Sequence, residues 1–284
     1  MLLRDALSSL SAARPLAAGT LSNYQRAVRY FGDFIGADPR VDDLDSRRVN
    51  SWLARMEDNY DASYCRSLRR DLLVVWNHAA DIEECVHPKP RLIRIPKMQP
   101  KTPFSWPVHW IPQLLESVST INGVIKRWGI ERSVYAEAYL RVELDLLCRP
   151  TDMRRLMWSQ VEGDGHVTWT QNKTGRIQRC KISREALRAM NRLRGLHETY
   201  VFPLSKTATE LLICKIFLNA GIEKPPKQSL GHLRHTGGTA IAASAGNDAA
   251  RAALGHSPES RVFERHYLDV NKLPVVESTQ WWKT

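Results

Sequence analysis

Apolar residues recur with a helical period through the first third of the chain. Behind Thr20, the residues Tyr24, Ala27, Val28, Phe31, Phe34 and Ile35 share one face, which predicts an amphipathic helix that the Gly-Ala-Asp-Pro run at 36–39 ends. A second helix opens near Asp45 and Ser46 and turns Val49, Trp52, Leu53 and Met56 to one side. The third, from about Ser63, sets Leu68, Leu72, Val75, Trp76 and Ala79 in an apolar stripe, with Arg66, Arg69 and Arg70 on a different face. Such a cationic stripe is a candidate for phosphate contacts. Residues 1–19, ahead of these helices, read as a mobile N-terminal arm.

The period lapses between Pro88 and Pro107, where further prolines at 90, 96, 100 and 103 alternate with Lys89, Arg91, Arg94, Lys97 and Lys101. Proline removes backbone donors and blocks helix, so the stretch reads as a semi-extended basic linker. This divides the chain into an arm (1–19), a helical domain (20–87), a linker (88–107) and a second domain (108–284). Helical pattern returns at Trp110 to Val118 and Ser133 to Cys148, and then alternation takes over. Val167 and Trp169 share one parity, Cys180 and Ile182 another, with Asn-Lys-Thr-Gly between them. That predicts a short hairpin with Lys173 at its turn. Helices follow at Ser183 to Leu193, Thr207 to Asn219, Leu233 to Ser244 and Asp248 to Leu254. The expected fold class is mainly α with a small antiparallel β-sheet.

Charge narrows the function. The formal net charge is +11 over 284 residues, and a basic surface attracts polyanions, of which nucleic acid is the most abundant for a soluble protein. The cysteines are five in number and lack CxxC spacing, which suits reduced thiols in a cytoplasmic setting. The opening residues lack the unbroken apolar run of a signal peptide, and no later stretch has the length and apolarity of a membrane span. His232 with His235, and Cys85 with His87, have no further ligands at zinc-like spacing, so no metal is expected.

Breaking a phosphodiester without a metal requires a nucleophile, a cationic cradle for the phosphate and a proton donor for the departing sugar oxygen. Arginine suits the cradle, because its planar fork gives a phosphate two hydrogen bonds and stays charged. Arg149 and Arg234 are the candidates. The segment LLCRPTDMRRLMWSQV, with Arg149, Asp152, Leu156 and Trp158, resembles the first-arginine motif of the tyrosine recombinases, also called phage integrases. QNKTGR resembles their hairpin lysine motif at Lys173. GHLRHTGGTAIAASAG resembles their second-arginine motif around Leu233, Arg234, His235 and Thr236, and ALGHS supplies His256. Tyr267, in FERHYLDV, stands where the family carries its nucleophile.

The resemblance implies a helical, SAM-like DNA-binding domain followed by the tyrosine recombinase catalytic fold. It implies that Tyr267 attacks DNA to give a 3'-phosphotyrosyl link, that Arg149, Arg234 and His256 hold the phosphate, and that Lys173 protonates the 5' oxygen. Asp152 would buttress the site and Leu156 and Trp158 would sit in the core. It implies double-stranded DNA as partner, a homotetramer on two DNA sites, DNA-bending accessory proteins in some systems, no membrane and no cofactor. The tail Thr-Gln-Trp-Trp-Lys-Thr is then a candidate for docking on a neighbouring subunit.

Two departures stand out. The family usually places histidine three residues before the second arginine, where this chain has Gly231, and His232, one step away, is the candidate substitute acid or base. The interval from His256 to Tyr267 is also slightly long. Two other readings compete. A type IB topoisomerase would share the chemistry without exchanging partners, and a non-catalytic DNA-binding protein would use residues 239–267 as a helix-turn-helix with its turn at Ala245-Gly246-Asn247.

Overall fold

The computed structural model describes residues 1–99, 103–225, 231–257, 259–269 and 272–273. The tail from residue 274, with its paired tryptophans, lies outside them. The chain divides into two compact units, Met1–Pro100 and Lys101–Thr284, each with its own core.

The first unit has four helices, α1 (Leu3–Ala13), α2 (Ala18–Ile35), α3 (Ser46–Glu57) and α4 (Ala62–Asp81). The expected stripes are the buried ones: Val49, Trp52, Leu53 and Met56 on α3, and Leu68, Leu72, Val75, Trp76 and Ala79 on α4. Asp45 and Asp61 cap α3 and α4 by accepting the N–H groups of Arg48 and Tyr64, and Gly36 stops α2 with a φ of 81°.

Residues 1–19 are not an arm. Leu3, Ala6, Leu7 and Leu10 of α1 are buried with the rest of the unit, at the spacing of a helix face that the short Leu-Ala-Ser run disguises. The basic stretch after α4 also differs from a free linker. Ile93 is buried in the same core, Arg66 donates to the carbonyl of Pro96 at 2.7 Å, and Arg69 donates to those of Pro90 and Ile93 at 3.1 and 3.3 Å. A proline-rich strand has carbonyls with no helix or sheet to receive them. Arginines of the α4 stripe supply the donors, while Arg70 pairs with its neighbour Asp71 at 2.9 Å. Arg66 and Arg70 remain exposed to solvent beside these contacts.

The second unit comprises α5 (Trp110–Ser117), α6 (Arg132–Leu146), α7 (Pro150–Met153), α8 (Arg184–Asn191), α9 (Lys206–Asn219), α10 (Gly231–Ala253) and α11 (Val262–His266), with two antiparallel hairpins. β1 (Val124–Ile125) and β2 (Ile130–Glu131) form a two-residue ladder that the sequence pattern does not signal. The larger hairpin is the expected one: β3 (His166–Thr170) and β4 (Ile177–Lys181) pair Val167 with Cys180 and Trp169 with Gln178, and Val167, Trp169 and Ile182 are buried. α10 is helical on both sides of Gly246, whose φ of 86° and ψ of 167° break it within the expected turn. The core is built on α6, buried on several faces, with Trp106, Phe202 and Phe217 packed among its neighbours. Leu156 lies in that core, while Trp158 is only partly buried and carries the Arg194 guanidinium 4.5 Å from its ring centroid.

Candidate active site

A sharp reversal delivers the first arginine. α6 ends at Leu147, whose φ of 45° is left-handed, and two residues later Arg149 caps α7, with Pro150 at its first position. Proline suits that place because its φ is already helical and its missing N–H would have no partner there. The first-turn acid, Asp152, is buried; one oxygen lies 3.9 Å from Arg149 Nη1 and the other accepts the Asn172 N–H at 2.9 Å. Asp152 thus lies between the arginine and the hairpin turn.

Arg234, near the start of α10, is 3% exposed. Its Nη1 donates to the Leu147 carbonyl and its Nη2 to the Leu254 carbonyl, both at 2.5 Å. The same Nη2 lies 3.3 Å from His256 Nε2. A guanidinium can only donate, so Nε2 is the acceptor and the proton of a neutral imidazole sits on Nδ1. That Nδ1 and the Nε of Arg234 are buried and meet no acceptor among the described residues. An unmet buried donor costs about 1–3 kcal/mol, and an anionic oxygen would remove that cost. His256 is neutral at physiological pH, its pKa pushed down to about 4 by burial first and by the charges of Arg234 and Arg149 next.

Tyr267 directly follows α11, held by its N–H to Phe263 at 2.8 Å and by Thr239, whose hydroxyl donates to its carbonyl at 3.1 Å. Its ring centroid is 5.3 Å from Arg234 Cζ, 5.1 Å from the His256 ring and 4.4 Å from the His235 ring. Arg234, His256 and Tyr267 therefore converge, and Arg149 is near enough for its charge to act on both Arg234 and His256. Lys173 lies on the exposed turn between β3 and β4, beside residues bonded to Arg149 and Asp152, and makes no hydrogen bond or ion pair with the other four among the described residues.

Gly231 opens α10. The ring of His232 stacks on Trp106 at 6.2 Å and on His235 at 5.0 Å. The histidine against Tyr267 is His235, one residue after Arg234, which sequence reasoning treated only as part of a motif. The second residue missed is Gln171. It is 1% exposed at the end of β3 and accepts Arg149 Nη1 at 2.9 Å. Its inward parity with Val167 and Trp169 was the available signal. Among the described residues, Glu162, Asp164 and His166 are near enough together to share a cation, but they are exposed or partly so and already engaged: Glu162 with Arg179, and Asp164 with His166.

A model of the phage integrase family matches residues 115–273. Among solved structures, the fold is similar to a lambda integrase(75-356) dimer bound to a COC' core site, with a TM-score of 0.76 and 15% identity over 98% of this chain and 100% of that one. It is similar to a lambda integrase tetramer bound to a Holliday junction (TM-score 0.76, 16% identity, 97% and 79% covered). A further likeness is to the Tn1549 transposon integrase (aa 82-397) in complex with circular intermediate DNA (TM-score 0.64, 13% identity, 94% and 95% covered). No curated protein sequence matches the chain.

Proposed function

The chain belongs to the phage integrase family, and from that premise we propose that it is a site-specific DNA recombinase that cuts and rejoins DNA through Tyr267. The Tyr267 phenol oxygen attacks the scissile phosphorus and releases its proton to solvent. The bond from phosphorus to the 5' oxygen breaks, and Lys173 gives that oxygen a proton. Arg149, Arg234 and His256 hold the non-bridging oxygens, on which charge builds in the transition state. The products are a 3'-phosphotyrosyl link and a free 5' hydroxyl, and attack by a partner strand's 5' hydroxyl reverses the step. Because the phosphoester energy is retained in the link, the chemistry asks for neither ATP nor a metal.

One observation carries this reading: Arg234 and His256 stand against the phenol ring of Tyr267, and among the described residues Arg234 Nε and His256 Nδ1 meet no hydrogen-bond acceptor. With no side chain at Gly231, that position offers no group to share the proton work, and His232, one step away and stacked on His235, is the candidate substitute. We therefore expect a slower enzyme, by about 100-fold or more if acid-base help is what is missing.

The net charge of +11 suits double-stranded DNA. The similar lambda integrase was captured as a dimer on a core site and as a tetramer on a Holliday junction. By analogy this chain is proposed to act as a homotetramer on two duplexes, with DNA-bending proteins as accessory partners, in the cytoplasm.

The test is covalent trapping on a nicked suicide duplex carrying the element's own attachment site. Wild type is expected to form a protein–DNA adduct and Tyr267→Phe none, with binding retained. Specific binding by wild type without an adduct would turn the assignment to a DNA-binding protein, and relaxation of arbitrary supercoiled DNA by monomers would turn it to a topoisomerase.

A further inference from the structure

We infer that Gln171 is a positioning residue that sets the Lys173 turn against both arginines, an inference that rests on the recombinase reading above. Its side-chain amide is buried, with both acceptor positions of Oε1 and one donor of Nε2 engaged. Oε1 accepts Arg149 Nη1 at 2.9 Å and the Thr174 hydroxyl at 2.7 Å, while Nε2 donates to the Leu254 carbonyl at 3.2 Å. That carbonyl also receives Arg234 Nη2. One amide therefore reaches the first arginine directly and the second through a shared acceptor. Its backbone closes the turn as well, the N–H donating to Arg176 O at 2.8 Å and the carbonyl accepting the Gly175 N–H at 2.9 Å. Lys173 is two residues away and, among the described residues, makes no hydrogen bond or ion pair of its own.

The chain beside His256 is shaped to admit this amide. Gly255 has a φ of +64°, and a Cβ there would lie well inside contact distance of Gln171 Nε2 and 2.5 Å from Gln178 Cδ. Only a residue without a side chain lets the Leu254 carbonyl come this close to the hairpin. Gln171 is also the residue type the place requires. An acceptor alone would leave the Leu254 carbonyl facing a carboxylate, and a donor alone would face Arg149 and Thr174 with nothing to accept. Asp152 anchors the same turn through the Asn172 N–H, so removing the Gln171 amide should loosen the lysine without unfolding the hairpin.

Leaving-group chemistry separates positioning from mere structure. A 5'-bridging phosphorothioate departs as a thiolate, whose conjugate thiol has a pKa of about 8.5, so it needs little help from an acid. On ordinary DNA, Gln171→Leu is expected to slow adduct formation by about 100-fold, the scale of a 1 Å misplacement. On the sulfur substrate it should return to within about fivefold of wild type, as Lys173→Ala should. Combined with Lys173→Ala, Gln171→Leu should cost little more than Lys173→Ala alone, because both act on one proton transfer. Wild-type rates for Gln171→Leu on oxygen, equal losses on both substrates, or additive losses in the double variant would each overturn the inference. If Gln171→Leu does not fold, Gln171→Glu takes its place, since it keeps the acceptor for Arg149 and loses the donor to Leu254. Failure of wild type to form any adduct would instead remove the recombinase reading.

Discussion

The imidazole of His235 lies 4.4 Å from the phenol ring of Tyr267, centroid to centroid, with the two planes 28° apart. It extends a column in which Trp106 stacks on His232 and His232 on His235. A tyrosine that must attack in line needs its ring held, and a flat neighbour does so at little entropic cost. His235→Phe should keep the platform and form adduct within a few-fold of wild type. His235→Ala should lose about 1 kcal/mol of stability and a larger fraction of the adduct rate. Urea unfolding and trapping yields decide it, and equal rates for the two variants would end the platform role.

Acid should weaken the fold through two histidines. The pKa of His235 is pushed down to about 4 by burial first, then by His232 and Arg234, and that of His256 falls to about 4 for similar reasons. In the unfolded chain both return to about 6.5. Between those values the unfolded state binds more protons than the folded one, so stability falls as pH drops from about 6.5 to about 4 and is unaffected by these groups above that window. Urea midpoints across pH 4–8 should show this slope, shallower in His235→Gln. Binding a phosphate should draw the His256 pKa upward, because an anion offsets the two arginines. An NMR titration of the ring, free and with the adduct formed, checks the direction.

The reversal before Arg149 makes a separate prediction. Leu147 holds a left-handed backbone that costs a branched residue about 1–2 kcal/mol, and its carbonyl receives Arg234 Nη1. Its side chain lies over Gly237, where an added Cβ would stand 2.5 Å from Leu147 Cδ2. Gly237→Ala should therefore push Leu147 out, cost about 1–3 kcal/mol and draw the carbonyl away from Arg234. Lower stability with an unchanged adduct rate would show that Arg234 does not depend on this acceptor.

Much of this fold was readable in advance, for stated reasons. The stripes of α3 and α4 and the parity of β3 and β4 are periodic, and periodicity survives without knowledge of tertiary structure. The break at Gly246 was readable because a glycine lay between two helical patterns. α1 was missed because its buried Leu3, Ala6, Leu7 and Leu10 sit among small and polar residues that give a weak signal. The boundary at Pro100 falls within the proline-rich linker; composition shows that such a strand cannot be helical but not that Arg66 and Arg69 hold its first part down. In the site, the motifs single out Arg149, Arg234, His256 and Tyr267, three of which the fold brings together around the Tyr267 ring. The strand parity marks Gln171 as inward-facing and a motif includes His235, but their contacts with Arg149 and Tyr267 are made across the fold and no local pattern records those.

Arg234 offers the strictest test of the cradle. Its guanidinium reaches Leu147 O, Leu254 O and His256 Nε2 at once while its Nε remains for a further acceptor. Lysine carries the same charge on a single nitrogen with three donors and no planar fork. Arg234→Lys could satisfy at most part of this set, and the two carbonyls would compete with the phosphate for its ammonium. The expected loss in adduct rate is at least about 100-fold, on the scale of removing one preorganised transition-state donor. DNA binding should change much less, because affinity is spread over many phosphate contacts. Affinity at two salt concentrations and single-turnover trapping separate these outcomes. A fall in binding as deep as the fall in rate would mean that Arg234 acts on ground-state binding and not on the transition state.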